Sequence, residues 1–208
     1  MISLLLILLP LLTGLAAFFI KDEKLARTWA VLASFATLTI AILSLCCMND
    51  TKSLNYHCEW LPSLGASFSL KMDGVAQLLC LLNTIAYPLV FIAGWDKTYK
   101  NAKNFFALML LAQAGIMGVF LAADALLFYF FWELALIPMY FLCSQWGGEK
   151  RVAVTFKFFI YTFIGSLLML ISILYLYGQT PDHSFSIESF YNLKLTSKQQ
   201  SIPFWLMF

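Results

Sequence analysis

The sequence is poor in charge. Only 12% of its 208 residues are Asp, Glu, Lys or Arg, and two more are His, whereas 62% are hydrophobic. Soluble domains carry about 25% charged and about 45–50% apolar residues. A chain this apolar has more greasy surface than one soluble core can hide, which excludes an ordinary soluble domain. A net charge of +2 without a Lys/Arg block excludes a nucleic-acid binder. No glycine-rich phosphate loop, Ser/His/Asp arrangement, haem motif or iron–sulfur motif occurs. The chain is therefore expected to bind no redox cofactor itself. Its five cysteines (46, 47, 58, 80 and 143) form no CxxC pair and no Cys/His ligand spacing. Cys46, Cys47 and Cys58 fall on one membrane face, where one disulfide is conceivable. An odd count in an apolar chain favours small buried hydrophobes instead. His57-Cys58-Glu59 lacks the two further ligands that a metal site needs, so no metal is expected.

What the sequence does have is long apolar runs. At about 30 residues per span and connection, the length predicts six or seven membrane helices of about 20 residues each. The runs fall at 2–20, 28–48, 75–95, 105–123, 125–146 and 152–177, with a seventh opening at 202–208. The first run has no positive segment before it and is too long for a signal peptide, so it reads as a retained helix. Ser67-Phe68-Ser69-Leu70-Lys71-Met72 alternates with period two and predicts a short strand or hairpin at the membrane surface. Asp124 lies between spans four and five and is expected to cap the fifth helix. Asp73-Gly74 is a turn before the third. The expected fold is an all-α polytopic membrane protein in one domain, 1–208, with six transmembrane helices and the start of a seventh.

Orientation follows from Lys and Arg in the loops. The loops at 21–27, 96–104 and 147–151 carry three, three and two cations, all on one side. The other side has Lys52, Lys71, Lys194 and Lys198, spread over two long loops. The cation-rich side is expected to be cytoplasmic, or matrix-facing in an organelle, and the N-terminus outside.

Two ionisable residues sit inside apolar spans. Glu133 lies nine residues after Asp124, about 13 Å below the outer helix end at 1.5 Å rise per residue. That depth is near the middle of a hydrocarbon core about 30 Å thick. A charge there costs about 2.5–3.5 kcal/mol even on lenient insertion scales, and a glutamate has no long stem with which to snorkel. Such an acid is either neutral or paired inside the bundle, and both states suit a group that takes up and releases protons. Pro138 cannot donate to the Leu134 carbonyl, leaving a backbone acceptor beside the acid; a pure packing role for the proline weighs equally.

Lys157 lies six residues past Arg151, about 9 Å from the cytoplasmic side. It reads either as a relay to Glu133 or as a snorkelling surface lysine. With Tyr161, Gly165 and Ser172 it forms a polar or small stripe, which is expected to face another helix. Gln113, near Gly115 and Gly118, lines a polar contact or serves helix packing.

Leu127-Phe128-Tyr129-Phe130-Phe131-Trp132-Glu133-Leu134-Ala135-Leu136-Ile137-Pro138-Met139-Tyr140, Trp146-Gly147-Gly148-Glu149-Lys150-Arg151 and Lys157-Phe158-Phe159-Ile160-Tyr161 resemble the M-subunit family of bacterial NADH:quinone oxidoreductase, respiratory complex I. Its mitochondrial counterpart is NADH dehydrogenase subunit 4. The likeness runs along the whole chain and is strongest at 120–177. It implies an antiporter-like fold, usually of fourteen helices, in the bacterial inner membrane. It implies other membrane subunits of complex I as partners, with NADH, FMN, iron–sulfur clusters and a quinone held in other subunits. Glu133 matches the family's essential glutamate of the fifth helix, which the family pairs with a lysine in the seventh. Only the opening of that helix is matched, by Ile202-Pro203-Phe204-Trp205-Leu206-Met207-Phe208. The expectation is thus a truncated antiporter-like fold, inactive as a pump by itself. Two other readings stand: a subunit of a multi-subunit cation/proton antiporter, and a truncated, non-pumping fragment.

Overall fold

The computed structural model describes residues 1–46 and 54–207. Cys47, Met48 and Lys52, which entered the readings of the second span, the cysteines and the loop charges, lie outside the described residues, as does Phe208.

The order of elements is α1 (Ile2–Ala17), α2 (Glu23–Cys46), β1 (Tyr56–Leu61), a single 3-10 turn (Pro62–Leu64), β2 (Ala66–Leu70), α3 (Gly74–Ala93), α4 (Ala102–Leu121), α5 (Ala125–Trp146), α6 (Arg151–Gln179), α7 (Ile187–Tyr191) and α8 (Ser197–Met207). Among the described residues five helices, α2 to α6, are long and apolar enough to cross a membrane. The first of the six expected spans forms a shorter apolar helix, α1, which has 16 residues and ends at Ala17. Its last turn tightens into i→i+3 bonds, Phe19 N to Ala16 O at 3.0 Å and Ile20 N to Ala17 O at 3.2 Å. The charged Lys21-Asp22-Glu23-Lys24 segment follows at once and draws the chain to water.

The seventh helix also differs from expectation. α8 starts at Ser197, five residues before the apolar run. Gln199 Oε1 accepts from Thr196 N at 3.0 Å and from Thr196 Oγ1 at 2.8 Å, the N3-to-N-cap half of a capping box. That spacing, Thr-x-x-Gln, starts the helix inside polar sequence.

The all-α description is corrected by a two-stranded antiparallel sheet. The period-two segment does form a strand, β2, which pairs with β1 in the register Tyr56↔Leu70, His57↔Ser69, Cys58↔Phe68 and Glu59↔Ser67. Gly65 closes the hairpin in the left-handed region at φ +68°, and a Cβ there would strike the His183 carbonyl. Cys46 and Cys58 carry free thiols.

Asp124 fixes this end of the molecule. Its carboxylate is 1% exposed and fully used. Oδ1 accepts from Leu126 N at 3.0 Å and Leu127 N at 3.1 Å, capping α5 as the sequence predicts. Oδ2 accepts from Ser67 N at 3.0 Å and Ser67 Oγ at 3.3 Å, which ties α5 to the hairpin. The short α4–α5 turn is also sewn by its backbone. Lys71 N donates to Leu121 O and Ala123 N to Ser69 O on the hairpin side. Ala125 N donates to Phe185 O, and Ile187 N to Ala123 O, on the side of the α6–α7 connection.

α4 is the hub of the bundle, packing against α1, α2, α3 and α5. Small residues allow this: Ala107, Ala112, Ala114, Gly115 and Gly118 are all buried on it. A Cβ on Gly115 would lie 2.8 Å from the Ala135 Cα, and one on Gly118 would enter the Phe131 ring. The two glycines thus form a close seam with α5. At the opposite end, Arg27 donates to the Trp95 and Lys97 carbonyls, and Trp146 Nε1 donates to Lys100 O at 3.0 Å.

Gly115→Ala is expected to lower the stability of the solubilised protein by about 1–3 kcal/mol through overpacking. Gly165→Ala, where a Cβ meets nothing within 4 Å, should be neutral or stabilising, since alanine is the better helix former by about 1 kcal/mol. Thermal unfolding of the two variants checks the contrast.

Candidate functional site

The buried face of α5 is set by Leu127, Phe131, Pro138 and Leu142. Phe131 and Ala135 meet the glycine seam of α4, so this face points to α4. Glu133 comes two residues after Phe131, a rotation of about 200° on a helix. It therefore lies on the other side of α5, toward α6, together with Tyr129 and Tyr140. Tyr140 packs its ring edge-on to Phe159 of α6, with centroids 5.1 Å apart. Tyr129 interacts with both the Glu133 carboxylate and Ser166 of α6.

Glu133 is half-buried between these contacts. Its Oε1 is buried without a hydrogen-bond partner among the described residues. Eight residues into α5, it sits about 12 Å below the hairpin end, at mid-membrane depth. A carboxyl oxygen left open at that depth, with one tyrosine beside it, can accept a proton or a hydrogen bond from a donor that approaches along α6.

The sequence reading did not pick out Tyr129 or Ser166. The i, i+4 spacing of Tyr129 and Glu133 on one helix face was the available signal for the tyrosine. Ser166 lies one residue from Gly165 and off the stripe of Lys157, Tyr161, Gly165 and Ser172 on α6.

Lys157 is not brought to Glu133: among the described residues the acid forms no ion pair with it. Nor does the expected stripe face a helix along its length. Thr155, Ser166, Ser172 and Ile173 are the buried residues of α6, and Lys157, two positions past Thr155, turns away. Lys157 and Gly165 are exposed, and Tyr161 is 76% exposed. Ser172 alone is covered, its hydroxyl donating to Pro203 O of α8 at 3.3 Å. Pro138 is buried within a helix that continues through it. Gln113 is wholly buried, but it lies two residues before Gly115, hence about 200° away from the α5 seam, and does not face Glu133.

Known proteins share this architecture. Residues 122–208 match the family model described as NADH:quinone oxidoreductase/Mrp antiporter, transmembrane. The chain is 39% identical over 172 residues to the F(420)H(2) dehydrogenase subunit M of Methanosarcina mazei, covering 81% of this chain and 35% of that one. It is 32% identical over 188 residues to the NADH-quinone oxidoreductase subunit M of Buchnera aphidicola, covering 83% and 38%. Among solved structures, a chain of respiratory complex I from Thermus thermophilus superposes with a TM-score of 0.85 at 25% identity, over 99% of this chain and 42% of that one. A chain of the Mrp complex from a Dietzia species gives 0.78 at 17% identity, over 99% and 23%, a likeness of fold alone. The resemblance to the M subunit and the antiporter-like fold are thereby shown, and the chain is a multi-pass membrane protein. It spans about a third of the length of the curated relatives it matches.

The α5–α6 register is open to a direct check. In a cysteine-free background, Tyr140→Cys with Phe159→Cys should cross-link on mild oxidation, whereas Glu133→Cys with Lys157→Cys should not. The yield of disulfide-linked peptides measures both.

Proposed function

We propose that this chain is a proton-translocating membrane subunit of an NADH:quinone oxidoreductase-type complex, in which quinone reduction elsewhere drives protons past Glu133. One observation carries the reading: a carboxylate at mid-membrane depth with one oxygen open and its face turned to α6. Intramembrane acids are costly and usually mark ion pathways.

In this reading Glu133 alternates between a protonated state and one paired with an approaching cation. The low dielectric of the site makes that exchange steep, because an unpaired carboxylate there is strongly disfavoured. Tyr129 stands beside the carboxyl on the same helix face, and a partner approaches from the α6 side. No cation among the described residues pairs with the acid. Lys157, exposed on α6, is at most a relay from the cation-rich side. NADH, FMN, iron–sulfur clusters and the quinone belong to other subunits, and the neighbours of this chain are other membrane subunits of the complex. The names of the two relatives differ in electron donor, F(420)H(2) in one and NADH in the other. A subunit that moves protons through buried side chains has no need to touch that donor. The eight-cation side, loops 21–27, 96–104 and 147–151, faces the cytoplasm of a bacterial inner membrane, with the N-terminus outside.

A multi-subunit cation/proton antiporter is the second reading, favoured by the likeness of fold to the Mrp complex. In membrane vesicles it predicts pH changes that depend on sodium and not on quinone reduction.

Glu133→Gln in the assembled complex should leave assembly and quinone reduction measurable while removing most proton pumping. Full pumping in that variant sinks the proposal. Lys157→Ala with unchanged pumping would assign the lysine to snorkelling. A fluorescent pH probe in vesicles reads both.

A further inference from the structure

The α1–α4 half of the bundle has two apolar cores. The one nearer the hairpin joins Leu6 and Ile7 of α1, Ala41 of α2, Cys80 of α3 and Met117 of α4. The one nearer the cation-rich end joins Ala30 and Ala33 of α2, Tyr87 and Phe91 of α3, and Phe106 and Leu110 of α4. Between the two cores, each of three helices places a polar residue where the next buried apolar one would be expected. On α2 it is Thr37, one turn from both Ala33 and Ala41. On α3, Asn83 and Thr84 come between Cys80 and Tyr87. On α4, Gln113 comes between Leu110 and Met117. Thr37, Thr84 and Gln113 have no exposure at all.

The hydrogen-bond account of this layer does not close. Thr37 Oγ1 donates to Ala33 O at 2.8 Å and Thr84 Oγ1 to Leu81 O at 2.9 Å, so both hydroxyls have spent their proton and keep lone pairs. Gln113 Nε2, Gln113 Oε1 and Asn83 Nδ2 are buried without a hydrogen-bond partner among the described residues. Leaving such groups bare is costly, and in a bilayer no solvent relieves them.

We propose that this layer is an internal water site, held by Gln113 and Asn83 with the Thr37 and Thr84 hydroxyls as acceptors. The chemistry of the open groups selects the ligand. Gln113 presents a donor and an acceptor, and Asn83 presents a donor. A metal cation satisfies oxygens only and would be repelled by the amide N–H groups. Water donates and accepts, and two to four polar partners are what a buried molecule needs. The site is separate from Glu133. Both lie about 12 Å from the hairpin ends of their helices, but the Gly115–Ala135 and Gly118–Phe131 contacts close α4 onto α5 between them. The inference does not rest on the proton-pumping proposal.

Radiolytic hydroxyl-radical footprinting of the protein in its native membrane tests it, since bound water generates radicals beside buried side chains. Met117 and Cys80, which border the layer and are 0% and 1% exposed, should be oxidised several-fold more than Phe91 and Phe106 after correction for intrinsic reactivity. Gln113→Leu should reduce the Met117 and Cys80 signals several-fold and leave Phe91 unchanged. Should that variant fail to accumulate, Thr37→Val, close in shape, carries the same expectation. Wild-type Met117 and Cys80 as protected as Phe91, or labelling that survives the substitution, overturns the proposal.

Discussion

The carboxylate of Asp124 is the interaction on which the arrangement rests. One buried side chain caps α5, holds the hairpin through Ser67, and sits in a turn whose backbone is bonded on both sides. Four donors on one carboxylate compensate its removal from water, as a buried charge requires. Because the cap sets where α5 begins, it also sets the depth at which Glu133 lies. A sheet of two strands is marginal in isolation; this one is held by the helices it joins.

Much of this was legible in the sequence. Apolar runs located the long helices, since a bilayer leaves helix as the only way to satisfy the backbone of a single crossing segment. The period-two stretch announced β2, and Asp124 announced its own cap. The ends were harder. α1 stops at Ala17 because hydrogen bonding tightens ahead of a charged segment, and hydropathy alone does not register that. α8 starts among polar residues because of the Thr196 and Gln199 pair, whose signal is local chemistry and not apolarity.

At the site, residue type was easier to read than direction. Glu133 stood out by the cost of its charge. Which helix it faces depended on the other side of α5, fixed by two glycines on α4 that no apolar pattern distinguishes from packing residues. The stripe on α6 has the same limit: Lys157, Tyr161 and Gly165 share a face, yet a shared face does not say what covers it, and among the described residues only its Ser172 end is covered. Tyr129 was hidden among aromatics, in a chain where 17% of residues are Phe, Trp or Tyr.

The glycine seam has a mechanical meaning. With backbone set against side chain at van der Waals limits, α4 and α5 cannot slide or part without losing contact along their length. They behave as one rigid beam. α6 meets α5 through ring edges, Tyr140 on Phe159, and through hydroxyl groups, which tolerate small displacement better than an interlocked backbone does. The α6 side is therefore where the surroundings of Glu133 can change at least cost in packing, with the interlocked pair as the reference frame.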